Sequence, residues 1–138
     1  MKQVEFLHSK SVNSLHNDAM QAAEQAVVAR QDGDLRRANE LFQQALAFER
    51  EAAYLLLDER DKEPSRSVLF RSAASLALDC GKWIEAGRLA LDGLDGKPPE
   101  QIAEELREIL GHVMKRLPAY EVKTQGNVVR EDPDEYLK

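Results

Sequence analysis

From Val12 to Ala29 the apolar positions are Val12, Leu15, Ala19, Ala22, Ala26 and Ala29, separated alternately by three and four residues. That rhythm lays all six along one helical face and predicts a first helix of about five turns. Asp32-Gly33-Asp34 ends it, because glycine can take the left-handed conformation of a helix exit and Asp34 can cap the next start. The same rhythm resumes at Ala38, Leu41, Ala45, Phe48, Ala52 and Leu55, predicting a second helix antiparallel to the first. Alanines on both facing stripes let the axes approach closely, with Phe42, Phe48, Tyr54 and Leu56 on the flanks.

Asp58 to Glu63 is charged, and Pro64 cannot continue a helix, so the chain breaks there. Ser65 is the expected cap of a third helix carrying Phe70, Ala73, Ala77 and Cys80 on one face and ending at Gly81. A fourth helix follows with Trp83, Ala86, Ala90 and Gly93. The turn Gly93-Leu94-Asp95-Gly96-Lys97-Pro98-Pro99 then leads into a fifth helix from about residue 99, with Ile102, Leu106, Ile109, Leu110 and Val113 inward. Gln101, Glu104, Glu105, Arg107 and Glu108 are expected to face water, as the last helix of a stacked array requires. After Pro118 the pattern changes to the alternating Tyr120, Val122 and Thr124, then Gly126-Asn127 and Val128-Val129, a possible short hairpin before the acidic run Glu131 to Glu135. Residues 118–138 are therefore read as a short non-helical C-terminal tail.

Two stretches 48 residues apart share one pattern: Ala26, Ala29, Gly33, Leu35, Ala38, Leu41 and Ala74, Ala77, Gly81, Trp83, Ala86, Leu89. With Phe42, Ala45, Ala90 and Gly93 added, these positions resemble the tetratricopeptide repeat, a two-helix unit of 34 residues. The resemblance covers roughly half the chain by that repeat length. The repeat's first-helix Trp and Leu positions fall on Ala22 and Gln25 in one copy and on Phe70 and Ala73 in the other, its terminal Pro falls on Arg50, and the offset implies an insertion. What the resemblance implies is an all-α, right-handed stack of antiparallel helical hairpins with about five helices. Its hairpins span about 11–60 and 65–94 and its closing helix about 99–116, within a domain of 1–117.

The family's groove often binds peptides, and its carboxylate-clamping Lys and Asn are replaced here by Ala23 and Val27 in one copy and Arg71, Ser72 and Ser75 in the other. Recognition of chaperone tails is therefore not expected. Val27, Arg30, Arg66, Arg71 and Ser75 are the candidate partner-binding residues. The first hairpin alone also resembles a microtubule-interacting-and-trafficking domain, which helices three to five exceed.

Composition narrows the chemistry. The chain has 138 residues and a net charge of −6, with Asp and Glu outnumbering Lys and Arg 25 to 19, a balance that disfavours nucleic acid. Its single cysteine, Cys80, excludes an internal disulfide and fits a reducing compartment. Val4, Phe6 and Leu7 are too few for a signal-peptide core within Met1 to Lys10, and no stretch suits a membrane span, so a cytoplasmic protein is expected.

No motif announces catalysis. His8 and His16 lie about 80° apart around a helix, His112 stands apart, and no metal-ligand spacing links them, so no metal or other cofactor is expected. Cys80 at a helix C-terminus is in the wrong field for a thiolate and reads as packing. Gly93 to Lys97 has two residues between its glycines and a proline after the lysine, which is not a phosphate loop. Asp32, Asp34 and the acids of residues 58–63 read as caps and solubilising charge, and Trp83 as filler between hairpins. The reading is a non-catalytic adaptor or scaffold binding a protein or peptide partner through its helical groove and the tail. Its alternatives are a homo-oligomeric structural or regulatory protein, or a helical bundle binding a partner helix.

Overall fold

The computed structural model describes residues 10–117. His8, the predicted tail of 118–138 and its possible hairpin lie outside them. Among the described residues there are five α-helices and no strand: α1 Val12–Gln31, α2 Leu35–Leu55, α3 Ser65–Asp79, α4 Trp83–Leu94 and α5 Glu100–Arg116. A 3-10 turn, Arg60–Lys62, occupies the charged break before Pro64. Each helix packs on its neighbours in sequence, and α3 also touches α5. None of these helices is long and apolar enough to cross a membrane.

Two glycines make the hairpins. Gly33 has φ of 84° and Gly81 of 72°, in the left-handed region that a side chain resists. Around them the hydrogen bonds repeat position for position. Asp34 N donates to Ala29 O at 2.9 Å and Gly33 N to Arg30 O at 3.0 Å, while Lys82 N donates to Ala77 O at 2.8 Å and Gly81 N to Leu78 O at 2.9 Å. Both turns are therefore Schellman exits that satisfy the last carbonyls of α1 and α3. Their continuations differ, because the Asp34 carboxylate caps α2 through Arg37 N at 3.1 Å whereas Lys82 gives α4 no side-chain cap.

The alanine stripes behave as the spacing predicts. Ala19, Ala26, Ala45 and Ala52 are all fully buried between α1 and α2 and their neighbours, where larger side chains would push the helices apart. The periodic reading fails at the edges of the second stripe. Leu55 is 50% exposed and Phe48 only half-buried, while Phe42 and Leu56, assigned to the flanks, are buried. The inward face of α2 is shifted toward Phe42, Leu46, Glu49 and Ala53, since α2 must contact α3 as well as α1. Cys80 and Trp83, placed inward by the pattern, are half-buried, and Ala103 joins the buried face of α5.

Ser65 does not cap α3. It is the first helical residue, and the cap is supplied from outside by Glu63, whose Oε1 accepts from Ser67 N at 3.1 Å. A carboxylate suits this place because the helix N-terminus carries partial positive charge.

The second hairpin is closest-packed at Gly93. A Cβ built there would lie 2.9 Å from Phe70 Cβ and 3.1 Å from a Leu106 methyl. Replacing Gly93 with Ala is expected to destabilise the fold by about 1–3 kcal/mol through overpacking. Because the obstruction is the Cβ of residue 70 itself, adding Phe70→Ala must not recover the loss. Urea unfolding of the single and double variants checks this; recovery in the double variant would refute the close contact.

Candidate functional site

The residues expected to bind a partner differ in how far they are free to do so. Arg66 is fully buried, and its place on a binding face is corrected. Its Nε donates to Leu57 O at 2.9 Å and its Nη2 to Asp92 O at 3.0 Å, with Gly93 O at 3.5 Å from Nη1 and the Glu63 carboxylate at 3.8 Å. It thus serves the chain beyond the end of α2 and the C-terminal carbonyls of α4, where positive charge is favourable. Arg71 is half-buried in an ion pair with Glu105 of α5, so Glu105 does not simply face water as its position suggested. Val27 is half-buried against the core, Arg30 lies 5.0 Å over the Phe42 ring, and Ser75 is exposed.

Arg71 belongs to a line of charge running across four helices, from His16 of α1 through Glu49 of α2 and Arg71 of α3 to Glu105 of α5. Glu49 of α2 is fully buried, and both of its oxygens lie 3.0 Å from His16 Nδ1 of α1. Burial pushes the Glu49 carboxyl up, while His16, Ser72 and Arg71 pull it back down. Sequence reasoning missed Glu49 because it sits in an amphipathic helix full of surface acids. Its signal was position, three residues before Ala52 and four after Ala45 on the buried stripe. The sign of its effect on stability is definite. A raised folded-state value means that Glu49 contributes stability below the ordinary value of 4.5, and that this contribution is lost as pH rises through the raised value. Glu49→Gln is expected to flatten that part of the profile, so the stability difference between variant and parent should change with pH above 4.5; a constant difference would overturn the assignment.

The polar line closes on itself, with each charge met by another. His16, Arg71 and Glu105 have side chains roughly one-third exposed, and the Glu49 carboxylate has no exposure to offer a substrate or ion. Burial likewise pushes the Cys80 thiol up, which leaves less thiolate at neutral pH.

A different surface is open. A groove of about 660 Å³ lies between the second half of α2, the start of α4 and the end of α5. Tyr54, Trp83, Ile84 and Leu117 supply its apolar walls, and Arg50, Lys82 and Arg88 its cations. Glu85 is the one acid of the lining, and it is already paired with Arg50 at 2.5 Å. The Tyr54 hydroxyl donates to Asp92 Oδ2 at 2.7 Å, and burial together with that carboxylate pushes its pKa up to about 12. Arg116 adds a further cation, stacked 4.3 Å from the Trp83 ring.

The groove continues onto the outer face of α4. Ile84 and Leu91 are 56% and 58% exposed, and Arg88 stands between them at helical spacing. An aliphatic pair flanking a cation on an uncovered helix face is a surface that can desolvate against a partner. Reading Trp83 as filler and following only the inward stripe of α4 hid this face. Ile84, Arg88 and Leu91 carry their own spacing of four and three residues in the sequence.

No family model matches this chain, and neither a curated protein nor a solved structure matches it.

Proposed function

We propose that this protein is a non-catalytic interaction module that binds a protein or peptide segment in the groove of Tyr54, Trp83, Ile84 and Leu117. The observation that carries the reading is the concentration of cations around that apolar groove. Arg50, Lys82 and Arg88 line it with one paired acid, on a chain whose overall charge is −6. Such a surface selects an acidic segment with an aromatic or aliphatic anchor, the charges steering the encounter and the apolar wall holding the complex. The paired Schellman turns and the short-range packing of neighbouring helices fit a tetratricopeptide-like scaffold of preformed shape, so little ordering would be lost on binding.

The binding face differs from the one the family resemblance suggested. On the α1 and α3 side, Arg66 is buried and Arg71 engaged with Glu105, and none of Arg30, Val27 and Ser75 lines the groove of Tyr54, Trp83, Ile84 and Leu117.

Affinity capture from native lysate with the full chain, Ile84→Asp, Arg88→Glu and Ser75→Glu tests the reading. Ile84→Asp puts an unpaired charge against the apolar wall and should remove the specific partner, weakening binding by roughly 2 kcal/mol or more as a central apolar contact does. Arg88→Glu should weaken capture most at low salt, and Ser75→Glu should leave it unchanged. The same partners retained by all four proteins would sink the placement.

A further inference from the structure

We propose that the groove is occupied within the same molecule by the acidic segment Glu131-Asp132-Pro133-Asp134-Glu135-Tyr136-Leu137, which an external partner must displace. The inference rests on the groove's reading as a site for an acidic, apolar-anchored segment. This chain carries such a segment itself, with four acids in five residues followed by an aromatic and an aliphatic side chain. Elsewhere the sequence has no stretch in which so dense an acidic run leads directly into an aromatic residue and a leucine.

Charge and hydrophobicity match in kind. The acids meet Lys82, Arg88 and Arg116, the first two of which face no unpaired acid in the lining. Tyr136 and Leu137 are the apolar anchors for the wall formed by Trp83, Ile84 and Leu117.

The connection makes weak affinity sufficient. Leu117 lines the groove and is the residue from which 118–130 lead to the acidic run, so the tether is 13 residues. A tether that short gives an effective concentration of order millimolar. A free-peptide dissociation constant about tenfold below that concentration would keep the groove about nine-tenths filled. Exposed ion pairs are modest singly, but losing two of them weakens docking by roughly tenfold and lowers occupancy to about half. Physiological salt shortens the reach of these charges without abolishing contact pairs. Regulation would then follow by competition: a partner with a better anchor or more acids wins the groove, and a weak one does not.

Trp83 is the only tryptophan and lies in the groove, so it reports occupancy directly. Acrylamide quenching of Trp83 in the full chain should rise severalfold in the double variant Asp132→Lys with Asp134→Lys, as the open fraction grows from about one-tenth to about half. Arg88→Glu should raise it similarly, and combining Arg88→Glu with Asp134→Lys should restore part of the shielding, which general unfolding cannot do. A synthetic peptide of residues 129–138 should shield Trp83 in the double variant in trans. Equal quenching of parent and double variant at low and physiological salt would overturn intramolecular docking. If the free peptide still binds in that case, the groove reading stands and only the self-docking is lost; if it does not bind, both fall. Shielding that grows with protein concentration would assign the segment to a second copy and likewise overturn the proposal.

Discussion

Arg66→Ala is expected to cost about 3–5 kcal/mol, among the largest single-residue losses available in this fold, because it breaks a buried charged network. The guanidinium is fully buried and holds three elements together: Leu57 O beyond α2, Asp92 O and Gly93 O at the end of α4, and the Glu63 carboxylate that caps α3. Glu63 in turn accepts from Lys97 N at 3.0 Å, so the break before α3 and the turn after α4 are joined through the same pair. Outside this pair, Arg60 makes a second ion pair with Asp95 at 2.6 Å. Removing the guanidinium leaves carbonyls without donors and a partly buried carboxylate without its cation, and each unsatisfied group carries its own desolvation penalty. Arg66→Lys restores the charge but cannot bridge carbonyls on two sides with a planar fork, so an intermediate loss is expected. Chemical denaturation of the three proteins checks the order. A loss below about 1 kcal/mol for Arg66→Ala would return this residue to the surface role that its sequence position suggested.

The second large effect is at Phe70, where Phe70→Ala is expected to cost about 3–5 kcal/mol. Its ring is fully buried on α3 and meets Tyr54 of α2 edge-on with centroids 5.2 Å apart. The Arg66 guanidinium lies 5.1 Å from the ring, and the backbone of α4 comes against its Cβ at Gly93. Both hairpins therefore meet at this side chain, and the void would open where α2, α3 and α4 converge. Phe70→Leu keeps much of the volume and should lose distinctly less. The Tyr54 ring would also lose its support, so Trp83 fluorescence should respond, since Tyr54 and Trp83 line one groove. Equal stability of the Ala variant and the parent would show that the two hairpins do not depend on this junction.

The same residues show why part of the molecule was legible before its structure. Helix number, helix direction and the glycine exits follow from short-range constraints: a 3.6-residue period, a left-handed position after the last turn, and a proline that cannot continue a helix. Those constraints involve residues within one or two turns of each other, and α1, α4 and α5 begin within a residue or two of their expected starts. Arg66 was misplaced because a lone arginine near a helix start is usually solvated, and nothing local reveals that carbonyls of α4, 26 and 27 residues away, will surround it. Glu49 was overlooked for the corresponding reason, since its partner His16 is 33 residues away.

By itself, the sequence determined an all-α chain with two glycine-turned hairpins and a closing helix, because backbone geometry and hydrophobic period are local properties that each segment carries alone. Only the tertiary structure decided which polar groups would be buried and which apolar ones left uncovered. Packing α2 against α1 and α3 together drew Glu49 inward and turned Leu55 out; docking the break onto the end of α4 consumed Arg66. Setting α4 against α3 and α5 left Ile84, Arg88 and Leu91 facing away from the core, beside a groove whose cations come from separate elements. Burial is a property of all the neighbours at once, and no single stretch of the chain contains them.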